Sequence, residues 1–215
     1  MYPVELHGQQ VMLREFDHAD LADSLRIVGD DEVTSWLSFD SRSEDEARAM
    51  LDGIVTRARQ EPRAEYYLAV ALPTDRAVIG FARLGLAGVR AAKLGFAIRR
   101  SDWGRGYATD AARTLITFGF GELALHRISA AAGPNNAASL AMIKRLGMTY
   151  EGRIRDHVFT NGAWRDSLLY SLLADEWAPG QQVVTGAAGL ARQLARVTYP
   201  QLVDNPGVHL LIPWA

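Results

Sequence analysis

The chain has 215 residues, of which 48% are hydrophobic and 22% charged, with a net charge of −2 and no cysteine. That balance is globular and excludes a disordered or fibrous chain, while the missing thiols exclude disulfides, thiolate metal sites and a cysteine nucleophile. The slight negative charge speaks against a nucleic-acid partner, and no run reaches the roughly 18 apolar residues of a membrane span. The opening MYPVELHGQQ lacks the basic and apolar regions of a secretory signal. The expectation is a soluble cytoplasmic protein: one domain over residues 1–177, then a C-terminal extension over residues 178–215.

From Asp17 to Val28, Leu21, Leu25 and Val28 stand at helical spacing behind an acidic first turn. From Ser43 to Ala58 the helical pattern is fuller: Ser43 and Glu46 are spaced as a capping box, and Ala47, Met50, Leu51, Ile54 and Ala58 recur on one face. Between the two lies a stretch that reads as irregular, with Asp30, Asp31, Glu32 and the large aromatic Trp36. The period then changes. Residues 66–72 and 78–86 flank Pro73-Thr74-Asp75 as an antiparallel hairpin, and residues 93–98 make a third strand. That strand runs through Asp102-Trp103-Gly104-Arg105-Gly106-Tyr107 into a helix. Its Ala108, Ala111, Ala112, Leu115, Ile116 and Gly119 form a small-residue face suited to close packing on a sheet. Residues 127–132 are the next strand, followed by the turn Gly133-Pro134-Asn135-Asn136 and a short helix through Leu140 and Ile143 that stops at Gly147. Residues 152–159 and 164–173 flank Asn161-Gly162, a strong hairpin signal. The fold class is α/β in the α+β sense, with a mixed, mostly antiparallel sheet flanked by helices.

Gly104 and Gly106, between a strand and a helix start, have two readings. One is a phosphate cradle of free helix amides, with Arg99, Arg100 and Arg105 adding charge; the other is a tight turn that needs glycine for its dihedrals. A P-loop is excluded because no Gly-Lys-Ser/Thr follows, and the dinucleotide fingerprint is incomplete.

The run Trp103-Gly104-Arg105-Gly106-Tyr107-Ala108-Thr109-Asp110-Ala111 is one of several ordered motifs. The others are Asn136-Ala137-Ala138-Ser139, Lys144-Arg145-Leu146-Gly147-Met148 with Glu151-Gly152, the Asn161-Gly162 turn and Glu176-Trp177. With them the sequence from Tyr66 to Trp177 resembles the GCN5-related N-acetyltransferase (GNAT) superfamily, most closely the branch that acetylates the N-termini of ribosomal proteins. The resemblance implies the GNAT fold and transfer of an acetyl group from acetyl-coenzyme A to a primary amine, with no metal. The acceptor would be a small molecule or a peptide N-terminus. It also implies site residues. Trp103, Gly104, Arg105, Gly106, Tyr107, Ala108 and Thr109 would hold the pyrophosphate, and Phe96, Ala97 and Ile98 would pair with the pantetheine arm, one amide polarising the thioester carbonyl. Asn136 would cap its helix and touch the coenzyme. Ser139 stands where relatives place the partner of the leaving sulfur; its other reading is a first-turn hydroxyl that stabilises the helix.

The general base is less legible. Lys93 and Val158 occupy positions where relatives carry glutamates, which leaves Asp156 and His157 as candidates, each also readable as a hairpin surface residue. Glu65, Tyr66 and Tyr67 are further candidates on the first hairpin. Asp31, Glu32 and Trp36, with Asp30 and Asp40, fall on the acceptor side, where an acidic rim would favour a cationic acceptor or simply be a solvated charge run. Without cysteine the acetyl group must pass directly in a ternary complex. Two alternatives stand beside this reading: a non-catalytic acyl-coenzyme A sensor or scaffold, and an enzyme for a longer acyl donor, since Ala97 replaces a bulky tryptophan of many relatives. The chain is expected to be a monomer or a homodimer.

Overall fold

Eight strands build one sheet in the computed structural model, which describes residues 1–177. The expected extension lies outside the described residues. The strands are β1 (Glu5–His7), β2 (Met12–Glu15), β3 (Glu65–Ala71), β4 (Val78–Leu86), β5 (Ala91–Ile98), β6 (Arg127–Ala132), β7 (Thr149–Thr160) and β8 (Ala163–Leu173). Their order is β1-β2-β3-β4-β5-β6-β8-β7, and every neighbouring pair is antiparallel except β5–β6. The helices are α1 (Leu21–Val28), α2 (Asp31–Thr34), α3 (Glu44–Ala58), α4 (Tyr107–Gly121) and α5 (Ala137–Arg145).

Local chemistry sets the helix ends. Ser43 and Glu46 form the expected capping box on α3, with Ser43 N–H donating to Glu46 Oε2 at 2.8 Å. The helix expected from Asp17 is corrected at its start: His18–Asp20 is a separate 3-10 turn, and α1 follows. Asp17 and Asp20 close a capping box of their own there, and Asp20 also grips Arg14 with two contacts of 2.7 Å, which holds the tight geometry. The stretch read as irregular contains the short α2, started by Asp30 accepting the Glu32 N–H at 2.9 Å. Asn161 and Gly162 both adopt positive φ, 51° and 71°, as a type I′ hairpin turn requires.

The two faces of the sheet carry two cores. On one side α4 and α5 cover a cluster that includes Leu68, Leu84, Leu94, Ile98, Leu115, Ile128 and Ile143. Gly119 is the close approach on this side, because a Cβ there would stand 2.9–3.2 Å from Ile128, Leu84 and Leu125. On the other side α1 and α3 pack with Tyr67, Ala69, Phe81 and Ala97. The strand alternation therefore turns Lys93, Gly95 and Ala97 toward the α1/α3 face, and Leu94, Phe96 and Ile98 toward α4. No helix among the described residues is long and apolar enough to cross a membrane.

Candidate active site

The sheet splits in its middle. β5 and β6 pair from Ala91↔Arg127 to Leu94↔Ala130 and no further. Both strands nevertheless continue on their outer sides, β5 against β4 as far as Ile98↔Gly80 and β6 against β8 as far as Ala132↔Leu168. From Gly95 onward the inner edges face a gap. Arg99 donates its amide to Ile79 O on β4 at 2.7 Å, so alternation points the backbone groups of Ile98 and Phe96 the other way, into the gap. The Trp103 indole N–H donates to Ile98 O at 2.7 Å, while a Cβ on Gly95 would meet nothing within 4 Å.

The loop that closes β5 leads to the start of α4. Gly104 (φ +75°) and Gly106 (φ +86°) take left-handed conformations that favour glycine, and Gly106 is the residue before the first helical turn. Asp110 N–H is the first amide of α4 to find a helical acceptor, Gly106 O at 3.0 Å. The amides of residues 104–109 have no acceptor among the described residues and sit at the positive end of a 15-residue helix. This is an anion cradle, and it fits a pyrophosphate. The neighbouring arginines are more occupied than expected: Arg99 and Arg105 pair with Asp102, and Arg100 pairs with Glu32 at 2.5 Å.

Asp110 holds the loop from below. Its buried carboxylate accepts three amides of the β1–β2 turn, those of Gln9 (3.1 Å), Gln10 (2.7 Å) and Val11 (3.1 Å). That contact brings Gln10 against the loop, with its Nε2 at 3.3 Å from where a Gly106 Cβ would stand. The first hairpin carried no usable periodicity in the sequence, so neither Gln10 nor this role of Asp110 was visible there.

Across the gap, α5 starts one short turn after β6. Asn136 Oδ1 accepts the Ser139 N–H at 3.0 Å, confirming Asn136 as the N-cap. The cap uses the Ser139 backbone, and the Ser139 hydroxyl has no hydrogen bond among the described residues. The second reading of Ser139, a hydroxyl that stabilises the helix, therefore has no contact behind it.

The structure separates Asp156 and His157. Asp156 is exposed in a bulge of β7 with φ +46°, gives its N–H to Asp166 Oδ1, and its carboxylate makes no hydrogen bond among the described residues. His157 is half-buried, with Nδ1 at 2.8 Å from Ser167 Oγ. Burial, and then the charge of Lys93, push its pKa below the usual histidine range, so it is neutral at pH 7. Of the candidates on β3, Glu65 is held by Arg57 Nε and Arg83 Nε, both at 2.6 Å, and Tyr66 faces the α4 core.

The acids of the expected rim are exposed or half-exposed but engaged. Asp30 caps α2, Asp31 accepts the Ser41 hydroxyl, Glu32 pairs with Arg100, and Asp40 accepts the Asn161 N–H at 2.8 Å. These acids organise the connection after α1 and tie it to the β7–β8 turn, helped by Arg165, which donates to Ser35 O and Leu37 O. Trp36 is 49% exposed between those two carbonyl contacts. A cleft of about 580 Å³ beside this connection is lined by Arg26, Arg99, Arg100 and Ser101 as well as Asp30. Ala97 is buried beside its register partner Phe81 in the α1/α3 core.

A split sheet with a free-amide loop at the head of α4 sets an open strand edge beside an anion cradle. Residues 10–149 match the acetyltransferase (GNAT) domain family, and the chain belongs to that family. It is similar to the uncharacterized N-acetyltransferase p20 of Bacillus licheniformis, 28% identical over 176 residues that cover 80% of this chain and 98% of that one. The [ribosomal protein uS5]-alanine N-acetyltransferase of Escherichia coli is 29% identical over 119 residues, covering 54% of this chain and 61% of that enzyme. Among solved structures, Mycobacterium smegmatis RimJ in complex with CoA-disulfide superposes with a TM-score of 0.72 at 25% identity, over 81% of this chain and 90% of that one.

Proposed function

We propose that residues 1–177 form the catalytic unit of an N-acetyltransferase that moves acetyl from acetyl-coenzyme A to a primary amine, on a small molecule or a peptide N-terminus, by direct attack in a ternary complex. The observation that carries this reading is the β5–β6 gap leading from the free amides of residues 104–109, which gives an extended arm a strand edge to pair with and its pyrophosphate a cradle. Acetyl-coenzyme A supplies the acetyl group as a thioester; the acceptor nitrogen takes the acetyl and the thiol is released. In this reading Gly104, Arg105, Gly106, Tyr107, Ala108 and Thr109 hold the pyrophosphate, with Trp103 fixing the end of β5. Phe96 and Ile98 offer the gap-facing backbone, and the Phe96 amide polarises the thioester oxygen. Asn136 sets the start of α5, and the Ser139 hydroxyl serves the departing sulfur. His157, neutral and in the field of Lys93, receives the acceptor's proton, which an ammonium must lose before it can attack.

Ser139→Ala keeps the cap, because the cap bond comes from the backbone, so its effect reads on the hydroxyl alone. We expect kcat to fall at least about tenfold with coenzyme affinity unchanged; unchanged turnover removes Ser139 from the reaction. For His157→Asn we expect kcat to drop about tenfold or more and the acidic limb of its pH profile to disappear. A retained acidic limb assigns the proton to another group.

A further inference from the structure

The gap has two sides. On one, α1 and α3 pack on Tyr67, Ala69, Phe81 and Ala97 of β3, β4 and β5. On the other stands β8, whose residues 163–167 run on past the last β6 pair, Ala132↔Leu168. The register and the alternation along β8 put Arg165 on the same face of the sheet as α1 and α3. The stretch from Glu32 to Asp40 bridges the two sides. Its Val33, Leu37 and Phe39 pack into the core under α1 and α3, and Glu32 pairs at 2.5 Å with Arg100, two residues beyond the end of β5. Its opposite flank is fastened to the hairpin: Arg165 donates to Ser35 O and, at 2.5 Å, to Leu37 O, while Asp40 accepts the Asn161 N–H at 2.8 Å.

The Arg165 fork spans two carbonyls that are two residues apart, so it fixes the peptide planes on both sides of residue 36. Its Nε is buried without a hydrogen-bond partner among the described residues, so these two carbonyls are the guanidinium's directed contacts. Trp36 lies between the gripped residues. It is the largest apolar side chain of the bridge, yet it belongs to neither core and is 49% exposed. Leu37 and Phe39 beside it do pack inward, so the exposure of Trp36 is not the exposure of the whole segment. A pinned backbone thus keeps a large ring in solvent on a segment that spans the gap. Its ordering cost is met in folding, and an apolar ligand group gains by covering the ring.

We propose that the acceptor carries an apolar group beside its amine, that Trp36 receives this group, and that Arg165 and Asp40 are positioning residues that hold the indole there. This rests on the acetyl-transfer reading above. A contact of that kind is made equally before and during attack, so it acts on the acceptor's KM and leaves kcat nearly unchanged. Cutting either tie lets the bridge move away from the gap and loses the same preference without touching Trp36 itself.

The test measures thiol release with acetyl-coenzyme A and primary amines matched in length, pentylamine, 3-methoxypropylamine and 1,4-diaminobutane, with tripeptides differing only by Leu, Asn or Lys at the first position. Apolar members should exceed their polar counterparts at least about tenfold in kcat/KM, through KM. The excess should collapse toward unity in Trp36→Ala and persist in Trp36→Phe. It should shrink about threefold or more in Arg165→Ala and in Asp40→Ala. Asp40→Asn keeps an oxygen for the Asn161 N–H and should retain it. A purely structural role of the ties would lower kcat for every amine alike and leave the ratio standing, which overturns their part. Trp36→Ala removes a half-exposed ring outside both cores, so it carries the test even where Arg165→Ala fails to fold. The absence of an apolar preference, or a preference that survives Trp36→Ala, overturns the proposal while leaving acetyl transfer intact. Calorimetry of coenzyme A-saturated protein with N-pentylacetamide and N-(3-methoxypropyl)acetamide separates the other failure. Tighter binding of the first, lost in Trp36→Ala, with no thiol release from any amine, upholds the Trp36 site and overturns transfer. Equal binding of the two overturns the Trp36 site.

Discussion

Replacing Asp110 by alanine should destabilise the protein by about 3–5 kcal/mol, read as a lower denaturant midpoint at unchanged m-value. The carboxylate is buried and accepts three amides from a turn 99–101 residues away in sequence, at 2.7–3.1 Å. Removing it leaves those donors without an acceptor, and each buried unsatisfied amide costs about 1–3 kcal/mol, less where water can reach Gln9 and Gln10. Asp110→Asn should recover part of the loss, since its one carbonyl oxygen can serve some of the amides while its NH2 opposes the rest. The same variant should weaken coenzyme binding, because Gln10 loses its place beside Gly106. A loss below about 1 kcal/mol would mean that the first hairpin is held by its strand pairing to β3 and not by Asp110.

Gly106→Val should lower coenzyme A affinity at least about thirtyfold, or about 2 kcal/mol, by calorimetry. The residue sits at φ +86° immediately before α4, where a β-branched side chain adds strain of about 1–2 kcal/mol and covers the amides that face the loop. Gly104→Ala is the graded comparison. It shares the positive φ, +75°, but a Cβ there meets nothing within 4 Å, so strain alone acts and about a fivefold loss follows. Gly121→Ala, at the far end of the same helix with open space around it and no positive φ, should leave coenzyme affinity unchanged. If all three variants bind alike, residues 104–109 are a structural turn and the anion lies elsewhere.

Several features were readable before any coordinates because they arise within a few residues. The Ser43/Glu46 capping box, the Asn136 cap, the positive-φ pair Asn161-Gly162 and the glycines before α4 all depend on short contacts or on backbone freedom, and each is found where the residues indicate it. The small-residue face of α4 told in advance which side would meet the sheet, and Gly119 is packed there. The first hairpin was not readable, because strands of three and four residues are too short to show an alternation. The acids of the α1–α3 connection could be read as a rim or as a solvated charge run, because charge in a sequence does not show that Asp30 caps a helix or that Asp40 reaches the β7–β8 turn.

By itself the sequence determined α3, α4 and α5 with the caps at Ser43 and Asn136, the hairpin turn and the loop whose amides can hold a phosphate, since those are written in residue types a few positions apart. Only the tertiary structure decided where β5 and β6 part, that Asp110 holds a turn from the other end of the domain, and that Arg83 crosses Gly85 to stand beside Lys93. Strand order and register are contacts between distant segments, fixed by how both faces of the sheet bury their side chains, and a one-residue slip between β4 and β5 would turn Lys93 and Arg83 to opposite faces.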